Sequence, residues 1–220
     1  MGILGALSGF FGSRQTEAQG QIPRTKENLV ALVRAFAELR PDQVQRVQGI
    51  APLQGLSIPN MQVPADQLPL MDTFVGDLHI RYAFDSPKGV INVSERDLKE
   101  LGLNREQLLP LAVANFRKLY PQATVERPNP VVGMLTRAGE LEASMMLDSE
   151  FWEMEKLHFG GQLAATVPAR DVLMWTGLQP IQNVRELKRI SHKIHSQVGR
   201  SALSKLVFLW RDRKWEVLDV

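Results

Sequence analysis

The residues best suited to chemistry lie between positions 142 and 175. Arg170 and Asp171 adjoin a strand start within Val167-Pro-Ala-Arg-Asp-Val-Leu-Met-Trp-Thr-Gly177. Strand ends and their loops are where function concentrates. Glu142 and Asp148 precede them in the chain. Carboxylates brought together divide into an acid and a base when their surroundings push their proton affinities apart. Arg170 would hold an anion beside them. Glu142, Asp148, Arg170 and Asp171 are therefore the candidate catalytic residues, with Trp152 and Trp175 as candidate binding surfaces. The same spacing also fits a plain structural Arg–Asp pair at a β turn under a tryptophan. Both readings stay open.

A second pattern lies further on. At 100° per residue Arg185, Arg189, His192 and Ser196 share one side of a helix, flanked by Lys188 and Lys193. Val184, Leu187, Ile190, Ile194 and Val198 lie opposite. Residues 185–205 hold six Lys and Arg against the single acid Glu186. Arg185, Lys188, Arg189 and Lys193 could follow an anionic partner or a nucleic-acid backbone. No aromatic platform accompanies them, which makes nucleic acid the poorer fit. His192 and His195, three apart, could face one ion, but no carboxylate adjoins them and no metal site is expected.

Composition narrows the field. The 220 residues include 26 Lys and Arg, 24 Asp and Glu, four His and no Cys, for a net charge of +2. Without cysteine there is no disulfide framework, thiolate zinc site, iron–sulfur cluster or cysteine nucleophile. So small a net charge does not mark a nucleic-acid binder. With 44% hydrophobic and 23% charged residues the chain is of the globular type. None of the sequences GxGxxG, GxxxxGK[ST] or GxSxG occurs, so no nucleotide cradle or nucleophile elbow is expected, and no cofactor.

The elements that position these residues follow from periodicity. Leu29, Leu32, Val33, Phe36 and Leu39 predict a helix over 25–40. Short strands are predicted around Gln43–Val47 and Leu53–Ile58. Alternation from Phe74 to Phe84 predicts a half-buried strand, followed by a turn and a second strand at Val90–Val93. Ser94 with Asp97 and Asn104 with Gln107 have capping-box spacing. Pro110, inside the second helix, predicts a kink or a start delayed to Leu109. A hairpin is expected from Val131–Thr136 and Glu140–Leu147, then a short helix capped by Asp148. Strands at Gln162–Val167 and Asp171–Trp175 come next, then a helix capped by Asn183, then a hairpin of Leu206–Trp210 and Trp215–Leu218. The order predicts an α+β fold, a mainly antiparallel sheet of hairpins packed with helices.

An apolar N-terminal arm precedes it. Ile3, Leu4, Leu7, Phe10 and Phe11 fall on one helical face, with small residues opposite. The arm lacks the basic residues of a signal peptide or an interfacial helix. It would dock on its own domain, meet a partner protein, or touch a membrane peripherally. No run is long enough for a transmembrane segment. The expected organisation is an arm and linker over 1–24 and a single domain over 25–220.

Several stretches together resemble the YtpQ-like family of uncharacterised bacterial proteins. They are IRYAFDSPKGVINVSERDL, NREQLLPLAVANFRKL, MLTRAGELEASMMLDSEFW, GQLAATVPARDVLMWTG and VFLWRDRKWEV. Pro110 and Arg213 depart from the family pattern. Arg213 stands where an Asp-Gly turn usually has its glycine, which predicts a longer loop there. The resemblance implies a cytoplasmic α+β protein and brings no activity. Three functions remain open. The foremost is a non-enzymatic binding or adaptor module. The others are an unrecognised enzyme, such as a hydrolase using the carboxylates near Arg170 and Asp171, and a binder of anions or nucleic acid through the basic helix.

Overall fold

The structure, a computed structural model, describes residues 22–38, 56–58 and 61–220. The N-terminal arm and the strand expected at Gln43–Val47 lie outside the described residues.

The fold is α+β. Its first sheet joins β1 (Leu29–Ala35), β4 (Met71–Thr73), β5 (Leu78–Ser86) and β6 (Gly89–Asn92), all antiparallel, with β5 central. Between β1 and β4 lies a separate hairpin of β2 (Leu56–Ile58) and β3 (Met61–Val63). The second sheet has six antiparallel strands: β7 (Thr124–Asn129), β8 (Val132–Thr136), β9 (Leu163–Ala169), β10 (Val172–Gly177), β11 (Val207–Arg211) and β12 (Lys214–Leu218). Their spatial order is β12-β11-β9-β10-β8-β7. Helices α1 (Glu95–Leu101) and α2 (Arg105–Leu119) follow β6. Helix α3 (Ser149–His158) precedes β9, and α4 (Ile181–His195) lies between β10 and β11.

The segment expected to be helical over 25–40 contains a strand instead. All seven residues of β1 are buried and pair with β5 from Leu29↔Phe84 to Ala35↔Leu78. A helix would bury one stripe, whereas here Val30 and Ala31 are as buried as Leu29 and Leu32. A short continuous apolar run satisfies helical and buried-strand spacing alike, and its burial on both faces decided between them.

Both capping boxes form. Ser94 and Asp97 exchange bonds at the start of α1, as do Asn104 and Gln107 at α2. Helix α2 starts at Arg105 and runs through Pro110, so the delayed start is not seen. Leu108, Ala112 and Phe116 on its inner side are buried, which offsets the one backbone bond that proline removes. The predicted second hairpin strand is instead a 3-10 helix, Glu142–Leu147, with its first five residues buried. It closes the outer edge of β1, where Ser144 Oγ accepts from Val33 N at 3.2 Å. The partner of β8 is β7, an edge strand whose charges and Pro128 hid it. Asn183 does not cap α4. The cap is Pro180, because Ile181 continues the apolar stripe of Val184 and packs on the cluster of Ala164 and Val207.

Alternation along the second sheet divides its side chains. Ala164, Val172 and Met174 belong to the clusters with Val184, Leu187 and Ile194 of α4. Leu163, Ala165, Val167, Leu173, Trp175 and Phe208 join a core that also holds Val30, Leu32 and Ala83 of the first sheet. The first sheet's other side, Leu29, Ala31, Ile80, Tyr82 and Phe84, packs with Leu98, Leu108 and Ala112 of α1 and α2.

Candidate functional site

The candidate residues separate in the structure. Asp148 is a structural group. Its carboxylate caps α3 through Phe151 N at 3.1 Å and takes both arms of Arg117, at 2.6 and 2.5 Å. These bonds, above all that to Asp148, hold the Arg117 guanidinium above its ordinary value. Trp152 and Trp175 are both fully buried in the core. Their rings meet edge to face at 5.2 Å, and their indole nitrogens donate to Met145 O and Glu155 Oε2, each at 2.9 Å.

Glu142 and Asp171 do come into electrostatic range. Glu142 Oε1 accepts from Ala138 N at 2.8 Å, while Oε2 is buried without a partner. Burial first, eased by two backbone hydrogen bonds and reinforced by the Asp171 charge, pushes Glu142 up to about 7. Asp171 Oδ1 is likewise buried and unpartnered.

Arg170 belongs to a different cluster. It occupies the β9–β10 turn, fixed by its N–H to Ser201 O at 3.1 Å and by its carbonyl accepting from Ala143 N at 3.0 Å. Its Nη2 meets Glu38 Oε2 at 2.8 Å, the two side chains being 35% and 23% exposed. Behind this pair stand three residues of the first sheet. Arg34 on β1 is directly opposite His79 on β5, and Arg81 follows two residues on, so all three side chains leave the same face.

Among the described residues this face holds an excess of positive charge. Arg34 is 8% exposed and donates from Nη1 to Val33 O at 2.9 Å. Burial, and then the Arg170 charge, lowers its proton affinity to about 10, with Glu38 opposing. Arg81 gives Nε to Asn92 Oδ1 at 2.5 Å and is also lowered, by burial foremost. His79 is fully buried against the Phe36 ring, and neither ring nitrogen has a partner. Burial, then Arg81 and Arg34, push it down to about 4, so its ring is neutral at neutral pH. Among the described residues three guanidinium groups thus face one carboxylate, and the one that is buried, Arg34, would ordinarily be paired.

Sequence reasoning reached only Arg170 of this group. Read as helical, Arg34 and Glu38 fell on an outward face. His79 and Arg81 lay on the side of their strand that alternation marks as solvated. The signal that could have found them is an arginine inside the otherwise apolar run Leu29–Ala35, beside a strand with two basic residues on one face.

The basic helix is only partly free. Arg185, Arg189 and Lys193 are exposed, but Arg189 pairs with Glu186 at 2.8 and 2.6 Å, and Lys188 donates to Val220 O at 2.5 Å. His192 Nε2 contacts Lys205 O at 2.9 Å. Among the described residues no group of three His, Asp or Glu could hold a metal ion, and no helix is long and apolar enough to cross a membrane. A cavity of about 410 Å³ opens where Phe159, Gly177, Leu178, Pro180 and Asn183 meet. None of the sequence candidates lines it.

The fold and this face define the molecule as an α+β protein with a partly buried arginine cluster that outnumbers its carboxylates among the described residues. Its sequence is similar to bacterial proteins named UPF0354 protein, a designation that specifies no activity. One from Oceanobacillus iheyensis is 27% identical over 66% of this chain and 54% of its own. One from Bacillus cereus is 26% identical over 69% and 56%, and one from Staphylococcus saprophyticus 27% identical over 48% and 37%. The chain spans about half the length of the first two. These relatives accord with the resemblance read from the sequence. No protein-family model and no solved structure matches the chain.

Proposed function

We propose that the protein is a non-catalytic binding module whose ligand is an anion held at Arg34, Arg81 and Arg170. The observation that carries this reading is Arg34, buried, lacking a contacting carboxylate among the described residues and flanked by two further guanidinium groups. A buried cation left in this state costs several kcal/mol relative to a paired one (order of magnitude), and an anion entering past the Arg170–Glu38 pair would remove that cost. Guanidinium forks suit oxyanions, which they meet through parallel N–H bonds. We take the domain to be residues 25–220, with residues 1–24 an arm for a protein partner, and the compartment to be the cytoplasm that the resemblance implies.

The test is thermal unfolding of the full chain in chloride buffer with and without sulfate, phosphate or acetate. Wild type is expected to be stabilised by at least one oxyanion. Arg34→Met is expected to be at least as stable as wild type without the anion and to gain nothing from it. Equal stabilisation of both proteins would overturn the reading.

One observation favours a second reading, acid–base hydrolysis: the proximity of Glu142 to Asp171. Turnover of an ester or phosphoester substrate that Glu142→Gln abolishes without unfolding the protein would establish it.

A further inference from the structure

Resting on that reading, we infer that the site selects a phosphoryl dianion, either inorganic phosphate or a phosphomonoester, over singly charged oxyanions. The argument is one of charge and shape. Among the described residues the charged groups acting on Arg34 are Arg170, Glu38 and Arg81, and those acting on Arg81 include Glu38 and Arg170. Counted over the described residues, with three cations and one anion, the cluster is two negative charges short of neutrality. A carboxylate would supply one of them, a phosphoryl dianion both.

The elements that carry the three groups agree. Arg34 and Arg81 come from neighbouring strands of the first sheet, and Arg170 from a turn of the second. Donors arriving from separate elements suit a tetrahedral group with three peripheral oxygens better than a planar carboxylate with two. His79, the remaining basic group on this face, is neutral and so leaves the charge count unchanged. Asp171, adjoining Arg170 in sequence, acts on Glu142.

A dianion requirement has a signature in pH. A phosphomonoester gains its second charge near pH 6, whereas sulfate carries two throughout the neutral range. Calorimetric titration of the full chain with phenyl phosphate, inorganic phosphate, sulfate and acetate, at pH values from 5 to 8, tests this. Phenyl phosphate affinity is expected to fall roughly tenfold for each pH unit below about 6, with sulfate affinity flat and acetate at least tenfold weaker at neutral pH. The tighter of the two phosphates identifies the free ion or the ester as the source. Acetate binding as tightly as phosphate would overturn the dianion assignment and leave the anion site standing. Sulfate and phenyl phosphate sharing one pH profile would also overturn it, because the titrating group would then belong to the protein. Binding of none of the four would overturn both this inference and the reading beneath it. Arg34→Met serves as the control for location: its loss of phosphate binding is expected, and retained binding would place the dianion elsewhere.

Discussion

Glu142 and His79 are both buried, and burial moves their proton affinities in opposite directions. Glu142 goes from an ordinary 4.5 up to about 7. The folded protein therefore holds a proton there that the unfolded chain has released, and stability falls as pH rises from about 4.5 through about 7. Glu142→Gln removes that dependence while keeping an acceptor for Ala138 N. It is expected to be more stable than wild type at pH 8, by about 1–3 kcal/mol, as urea denaturation at pH 5 and 8 would measure. His79 goes from 6.5 down to about 4. Here the unfolded chain takes the proton first, so stability falls as pH drops from about 6.5 toward 4. His79→Leu is expected to flatten that acid limb. At pH 7 it should match or exceed wild type, because two unpartnered ring nitrogens leave the interior. A variant clearly less stable at pH 7 would show that the imidazole makes a contact the fold needs. At this scale the sequence was a poor guide. It marked Glu142 and Arg170 as chemical, but nothing along the chain shows that Arg34 and His79 are opposite each other, since that pairing exists only once β1 is a strand.

Local rules were most legible where one short segment settles the matter. Ser94-Asp97 and Asn104-Gln107 cap α1 and α2 because side chain and backbone lie within four residues of each other. Where a distant partner decides, local rules failed: β1 needs β5, and the 3-10 helix at Glu142–Leu147 needs β1's edge and the β9–β10 turn. The last hairpin is instructive. A longer loop was expected at Arg213, yet Arg211 pairs with Lys214 and only Asp212 and Arg213 form the turn, with φ of 49° and 61°. Two residues with positive φ make the primed turn that matches strand twist. Arginine tolerates this conformation poorly, and among the described residues its side chain donates only across an exposed 3.2 Å contact to Ser149 Oγ. Arg213→Gly is therefore expected to stabilise the protein by about 0.5–1 kcal/mol, read as a higher midpoint in guanidinium chloride with an unchanged slope. A lower midpoint would mean that the contact to Ser149 outweighs the backbone strain.

Across the whole molecule the two sheets share apolar side chains. Val30, Leu32, Leu78 and Ala83 of the first belong to one cluster with Leu135, Leu163, Leu173 and Trp175 of the second. A common core of this kind couples its parts, so residues 25–220 are expected to unfold in one step. Far-ultraviolet circular dichroism and tryptophan emission should trace coincident urea curves. An earlier transition seen by one probe alone would divide the domain. The emission reports on a single place, because Trp152 touches Trp175 and Trp215, and Trp215 touches Trp210, at centroid distances of 5.2, 4.8 and 5.0 Å. All four tryptophans of the chain are in this series. Their rings are neither parallel nor coplanar, with interplanar angles of 85°, 83° and 57°. Indoles so close share their electronic excitation, and in a fixed chiral arrangement that sharing rotates polarised light. An exciton band is therefore expected to overlie the peptide spectrum and to distort any helix content derived from it. The couplings of Trp152 to Trp175 and Trp215 should vanish when α3 leaves the second sheet while that of Trp210 to Trp215 persists, making the lost part of the band an intrinsic optical gauge of that docking.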